Sequence, residues 1–129
     1  MSQKITNIAI IVKDYDEAID FYTRKLGFVL VEDTTLNAKK RWVRVCPKGD
    51  DGCCILLAKA STERQKTAIG NQSAGRVFLF LHTDNFDQDF KNLLDHKIKI
   101  VRQPVVEAYG KVAVFEDLYG NLWDLVQPL

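Results

Sequence analysis

The stretch from Ile5 to Asp33 constrains the fold most, because it has the pattern of a strand, a helix and a second strand. An isoleucine-rich apolar run ends at Lys13 and Asp14, which is typical of a strand buried on both faces. Asp14 stands at an N-cap position, and Glu17 follows three residues later, as in a capping box. The stretch therefore predicts a β-α-β unit.

The helix of this unit is predicted from one apolar stripe at helical spacing. The stripe consists of Tyr15, Ala18, Ile19, Tyr22 and Leu26. Gly27 can take the left-handed conformation that ends such a helix. Phe28–Val31 then resumes as a strand, and Asp33–Lys40 is a polar turn region.

Two further strands are predicted before the middle of the chain. Arg41–Cys46 and Cys53–Lys59 are rich in β-forming residues, and the turn cluster Pro47–Gly52 separates them. Ala60–Gly75 is polar and small, which favours a short helical turn followed by a linker. Residues 1–60 are therefore expected to form a βαβββ module.

A degraded copy of the same plan begins near Arg76. Its first expected elements are a strand at Val77–His82, a helix cap within Thr83–Asn85 with Asp84 as counterpart of Asp14, and a helix with the apolar stripe Phe86, Phe90, Leu93 and Leu94. A strand at Lys97–Val101, a loop at Gln103–Gly110, and strands at Lys111–Glu116 and Leu122–Gln127 are expected to follow. The sequence thus predicts an α+β fold of two tandem βαβββ modules in one domain, residues 1–60 and 76–129, with a linker at 61–75. Side by side, they would form an open curved eight-stranded sheet whose concave face lines a cleft.

Composition and charge limit the classes of binding partner that we expect. The chain has 129 residues, of which 47% are hydrophobic and 27% charged, as in ordinary globular proteins. A net charge of +1 gives no electrostatic reason to expect nucleic acid or an anionic membrane as partner. Neither a secretory signal nor a membrane-spanning run is evident. Cys46, Cys53 and Cys54 are expected to be free buried thiols in a reducing compartment, which favours the cytoplasm.

Paired motifs in the two halves carry a resemblance to a known superfamily. They are Val12-Lys13-Asp14, Glu17-Ala18, Phe21-Tyr22 and Leu26-Gly27-Phe28, and then Val114-Phe115-Glu116-Asp117, Gly120-Asn121 and Trp123-Asp124-Leu125. With them the chain resembles the vicinal oxygen chelate superfamily, which includes glyoxalase I, bleomycin-resistance proteins, extradiol dioxygenases and fosfomycin-resistance enzymes. The resemblance covers essentially the whole chain and implies the paired βαβββ fold and a homodimer.

The resemblance also implies four metal-ligand positions, one in the first strand and one in the last strand of each half. They fall on Asn7, Leu56, Phe78 and Asp124. Leucine and phenylalanine have no donor atoms, and a shift by one residue does not restore a set. We therefore expect neither the usual metal centre nor another cofactor.

Two titratable residues are candidates for chemistry in the cleft. If Phe78 faces the cleft, strand alternation puts Phe80 and His82 there too. His82 suits a general acid/base, or it bonds to backbone near the next helix. Asp124, a carboxylate in an apolar strand, is either a cleft carboxylate or the ion-pair partner of Arg41 or Arg44.

Aromatic and cationic residues suggest the ligand chemistry. Trp42 and Arg44 share one strand face, and Arg41 lies on the other. If Trp42 and Arg44 project into the cleft, they would suit a planar anion. A core tryptophan and a solvated arginine are the alternative. Tyr109 is either a lid over the cleft or an ordinary turn aromatic.

Three functions remain open from the sequence. The first, favoured by the missing metal ligands, is a cleft that binds a small, partly aromatic, acidic molecule. The second is a metal-dependent lyase or dioxygenase of the glyoxalase type, with a partial or relocated metal site at Asp124, His82 and Asn7. The third is a non-catalytic dimer with a vestigial cleft. The expected ligand-binding residues are Trp42, Arg44, Phe78, Phe80, His82, Tyr109 and Asp124.

Overall fold

The computed structural model describes residues 1–49 and 52–129 and divides the chain into two compact units, Met1–Ile69 and Gly70–Leu129. This boundary lies inside the linker that the sequence predicts at 61–75. No helix of the described residues is long and apolar enough to cross a bilayer.

The described residues of the first unit form four strands and three helical segments. They are β1 (Asn7–Val12), α1 (Tyr15–Asp20), a π-helical segment (Phe21–Lys25), β2 (Val29–Thr35), β3 (Arg41–Cys46), β4 (Cys54–Lys59) and α2 (Glu63–Ala68). The sheet order is β1-β4-β3-β2. Strands β1 and β4 are parallel, and the other neighbours are antiparallel. The predicted βαβββ order is confirmed.

The second unit repeats this arrangement. It contains β5 (Val77–His82), α3 (Phe86–Asp95), β6 (Ile100–Glu107), β7 (Gly110–Glu116) and β8 (Leu122–Pro128). The sheet order β5-β8-β7-β6, with β5 parallel to β8, is equivalent to that of the first unit. The fold class of two tandem βαβββ modules is thereby confirmed.

The first helix begins at the predicted cap, and its last turn is a wider π-helical turn. The Asp14 carboxylate accepts a hydrogen bond from the Glu17 backbone N–H at 2.9 Å, which caps the helix. Beyond Asp20, the Leu26 N–H donates to the Phe21 carbonyl at 2.9 Å, a five-residue step. The wider turn lets the consecutive residues Phe21 and Tyr22 both be buried.

Each sheet packs its core on the side that carries the helix. In the first unit, Val43 and Val45 are fully buried on the same strand face as Arg41, which contacts α1 through the Tyr15 hydroxyl. In the second unit, Gln127 accepts a hydrogen bond from the first N–H of α3, which identifies the helix side of β8. Trp42, Arg44 and Asp124 therefore lie on the opposite sides of their sheets.

Three strand and cap predictions are wrong. Strand β2 continues to Thr35 instead of turning at Asp33, because Asp33 pairs with Arg41 of the neighbouring strand. The residues expected as a loop before Gly110 are mostly strand β6; Pro104 is tolerated there because β6 is an edge strand with a register shift around it.

The third correction concerns the second helix. Its N-cap is Asn85, whose side chain accepts from the Gln88 N–H at 3.3 Å, so Asn85 and not Asp84 is the counterpart of Asp14.

The cysteine prediction is wrong for two residues. Cys46 and Cys54 form a disulfide, and only Cys53 is free. The pairing of Val45 with Ile55 brings Cys46 opposite Cys54, with 4.5 Å between the two Cα atoms. That register depends on the turn between β3 and β4, which the sequence alone does not fix.

Candidate functional site

We call the side of the first sheet that lies away from α1 the first open face. Arg44 is its central charge. The Arg44 Nε donates to Asn7 Oδ1 at 2.8 Å, and Nη1 reaches Glu32 Oε1 at 3.5 Å. Because Leu56 on β4 lies opposite Arg44, the guanidinium spans β4 to reach β1. The Arg44 side chain is 26% exposed, and its Nη2 has no partner within residues 1–49 and 52–129.

Arg41 is engaged on the other side of the same strand. Its guanidinium pairs with Asp33 at 2.7 Å and Asp16 at 2.9 Å, and it lies 5.1 Å from the centre of the Tyr15 ring. The hydrogen bonds that Arg41 donates to Asp33 and to Asp16 raise the pKa of Arg41 above its ordinary value. Both Arg41 and Arg44 thus take acidic partners from within the first unit.

A pocket of about 710 Å³ adjoins Arg44. It is lined by Val29, Val31, Arg44, Cys46, Pro47, Gly49 and Cys54. One cation thus stands at the edge of a mainly apolar wall, and the disulfide forms part of that wall. This arrangement suits a molecule with one acidic group on an apolar body.

The side of the second sheet that lies away from α3 is the second open face. Strand register places Phe80 opposite Asp124, Asp124 opposite Val114, and Val114 opposite Arg102. These four residues therefore form one row across the sheet. Arg102 also pairs with Glu107 at 2.9 Å.

Asp124 is the buried acid of this row. It is only 8% exposed, and its Oδ1 has no hydrogen-bond partner within the described residues. Burial raises the pKa of the Asp124 carboxyl, and the charges of Arg102 and His82 oppose that rise only in part. A buried acceptor without a partner is costly, so a donor group brought there would be stabilised.

Within each unit, some expected ligand-binding residues share one sheet face: Trp42 with Arg44 in the first, and Phe80 with Asp124 in the second. Phe80 is 64% exposed, and His82, two residues on, is exposed as well. Phe78 is half-buried at a register shift between Val77 and Leu79, so simple alternation does not extend to it. Tyr109 is an exposed residue of the two-residue turn between β6 and β7.

Sequence reasoning missed Arg102 altogether. The predicted strand ended at Val101, whereas β6 continues and pairs Arg102 with Val114. Extending the predicted strand by one residue would have included it.

The residues at the four implied metal positions do not fit a divalent metal. The Asn7 oxygen is occupied by the cationic guanidinium of Arg44, which would repel a metal ion. Leu56 and Phe78 offer no donor atom, and Asp124 is accompanied by Arg102. Within residues 1–49 and 52–129, no cluster of three or more His, Cys, Asp or Glu side chains has a metal-binding arrangement.

Sequence comparison finds a matching family model and a relative that both span nearly the whole chain. A family model described as Glyoxalase/Bleomycin resistance protein/Dioxygenase superfamily matches residues 4–125. An uncharacterized protein of Shewanella frigidimarina (strain NCIMB 400) is 57% identical over 128 residues, covering 98% of this chain and 95% of that protein.

Two solved structures share the whole fold. UcmS2 superposes with a TM-score of 0.85 at 30% identity, covering 98% of both chains. TnmS3, an antibiotic binding protein from Streptomyces sp. CB03234, superposes with a TM-score of 0.82 at 28% identity, covering 99% of this chain and 98% of the other.

Proposed function

This chain belongs to the Glyoxalase/Bleomycin resistance protein/Dioxygenase superfamily, and we propose that it is a metal-free binding protein for a small, partly aromatic, acidic molecule. The observation that carries the proposal is Arg44, whose guanidinium is held by Asn7 and Glu32 with one amino group left over. The description of TnmS3 as an antibiotic binding protein supports small-molecule binding on this fold.

Arg44 would orient the ligand. Asn7 and Glu32 fix the plane of its guanidinium, so little side-chain entropy is lost when Nη2 donates to a ligand carboxylate. Val29 and Val31 offer apolar contact in the adjoining pocket. Trp42, half-buried on the same strand face as Arg44, offers an aromatic surface.

The second open face offers ligand contacts of its own. The exposed ring of Phe80 is a stacking surface, and Asp124 accepts a hydrogen bond from a donor on the ligand. His82, Phe78 and Tyr109 are the remaining residues that we propose as ligand contacts.

An enzyme is the alternative. Asp124 with a raised pKa and the nearby His82 could exchange protons with a bound molecule. A lyase or dioxygenase of the glyoxalase type would need a metal held by Asp124, His82 and Asn7, and the pairing of Asn7 with Arg44 disfavours that set.

A screen of aromatic acids by thermal shift tests the binding proposal. Arg44→Ala should weaken any hit about ten- to a hundredfold, because a hydrogen bond to a charged group contributes about 1.5–3 kcal/mol. Arg64→Ala, at an exposed arginine of α2, is the matched control and should leave affinity unchanged. Equal affinity in the parent and in Arg44→Ala would refute the anion pocket.

Elemental analysis separates the two functions. The binding proposal expects the purified protein to carry no stoichiometric divalent metal. About one equivalent of metal per chain, lost in Asp124→Ala, would favour the enzyme instead.

The proposal also includes a cytoplasmic homodimer with neither nucleic acid nor membrane as partner. The net charge of +1 supports the absence of polyanionic partners. The Cys46–Cys54 disulfide weighs against a strongly reducing compartment, so its state in cells is a direct test of location.

A further inference from the structure

A second cavity of the first unit, of about 740 Å³, lies beside the start of α1. It is lined by Asp14, Tyr15, Thr35, Asn37, Ala38, Lys39, Lys40, Arg41, Lys59, Ala60 and Ser61. We call it the lysine-rimmed cavity. Because Tyr15 and Arg41 belong to the helix side of the sheet, this cavity is separate from the first open face and from Arg44.

The free charge of the lysine-rimmed cavity is positive. Lys39, Lys40 and Lys59 have no acidic partner within residues 1–49 and 52–129. Arg41 is already neutralised by Asp33 and Asp16. The one acid in the lining, Asp14, accepts the hydrogen bond that caps α1. The four cations of the lining thus outnumber the three carboxylates of Asp14, Asp16 and Asp33 by one, which leaves a net positive charge around the concave space.

The segment that carries two of these lysines is fixed by its own hydrogen bonds. The Lys40 carbonyl accepts from the Leu36 N–H at 2.9 Å and from the Asn37 N–H at 3.2 Å. The Asn37 side chain accepts from the Lys39 N–H at 2.9 Å. The backbone positions of Lys39 and Lys40 are therefore set before any ligand arrives, which lowers the entropy cost of binding there.

We propose that the lysine-rimmed cavity binds a small multivalent oxyanion, the chemistry shared by phosphate esters and by di- and tricarboxylates. Lysine ammonium groups bind phosphate as point charges, and several of them together favour an anion with more than one negative charge. The Thr35 hydroxyl at the same wall can donate to an anionic oxygen. This site goes beyond the proposed function, because its residues include none of the proposed ligand contacts.

Calorimetric titration with pyrophosphate and with citrate, at fixed ionic strength, tests the proposal. The parent should bind one equivalent of at least one of the two anions saturably. Pyrophosphate alone would assign the site to phosphate esters, and citrate would assign it to polycarboxylates; either supports the proposal.

The double variant Lys40→Gln/Lys59→Gln should weaken that binding about four- to twenty-five-fold, since each partly exposed charge contributes about two- to fivefold. The matched control Lys4→Gln/Lys48→Gln removes the same charge at exposed lysines outside the cavity and should bind as the parent does. No saturable binding by the parent, or equal weakening in both double variants, would overturn the proposal.

The Arg44→Ala variant tells the two sites apart, because only the first open face contains Arg44. It should weaken aromatic-acid binding about ten- to a hundredfold while leaving pyrophosphate or citrate affinity unchanged. Loss of oxyanion affinity in Arg44→Ala would assign that binding to the first open face and overturn the separate site.

Discussion

Arg44 is the residue at which the proposed function differs most from an enzyme of the same superfamily. Where the superfamily's enzymes gather oxygen and nitrogen donors around a metal, the Asn7 oxygen is bonded to the Arg44 guanidinium. In the proposed function, a fixed cation would take the place of a divalent one at this position. It retains the attraction for an anionic group without offering a Lewis acid.

Asp124 gives a pH-dependent prediction at the same scale. Burial raises its pKa in the folded state, so the ionised carboxylate costs stability above that raised value. The cost is relieved as pH falls through the folded pKa and is gone below the unfolded value of about 3.9. Asp124→Asn should therefore raise the free energy of unfolding near neutral pH by about 1 kcal/mol, the scale of a buried polar group without a partner.

Urea unfolding at pH 7 and at pH 3.5 measures this effect. The gain of Asp124→Asn over the parent should shrink between the two conditions. Asp87→Asn, at an exposed acid of the same unit, is the control and should show a much smaller change at neutral pH. A gain that is independent of pH would contradict the assignment.

At the scale of elements, local signals in the sequence were sufficient for most of the fold. The capped start of α1 and the turn around Gly120, where Asp117 accepts three backbone hydrogen bonds, follow from short-range chemistry. The length of β6 and the disulfide partners could not be predicted in the same way. Both depend on strand register, which is set by contacts distant in sequence.

The candidate site was predictable only as residue types on strand faces. Alternation correctly separated Arg41 from Arg44 on β3. It did not reveal that Asn7 and Glu32 hold Arg44, because those residues meet only when β1, β4, β3 and β2 assemble in that order.

The β3–β4 disulfide gives a prediction at this scale. Cys46 and Cys54 are eight residues apart, and closing a loop of that length contributes about 2–3 kcal/mol by the chain-entropy account. Cys46→Ser should lower the free energy of unfolding by about that amount in urea, whereas Cys53→Ser, at the free thiol, should have little effect. Alkylation without a reductant should modify only Cys53; three modified cysteines per chain would show that the disulfide does not form.

At the scale of the whole molecule, the chain repeats one module. Both units place the first strand parallel to the last and leave β2 and β6, respectively, at a sheet edge. Edge strands with apolar side chains invite pairing with other chains unless they are covered. Val106 on β6 is 77% exposed, and Val31 on β2 is exposed as well. These edges are where a second copy would bury apolar surface.

We therefore expect the homodimer to be the stable form in solution. Analytical ultracentrifugation at micromolar concentration should give twice the mass of a single chain, because a two-fold dimer covers the same apolar edge in both copies at once. Val31→Lys or Val106→Lys should shift the population toward single chains, because a charge at the contact must be desolvated. Leu94→Lys, at an exposed leucine of α3, is the matched control and should remain dimeric. A parent protein that sediments only at the single-chain mass would refute the dimer. The apolar edges would then be exposed and prone to aggregation, and the charged substitutions should reduce that aggregation.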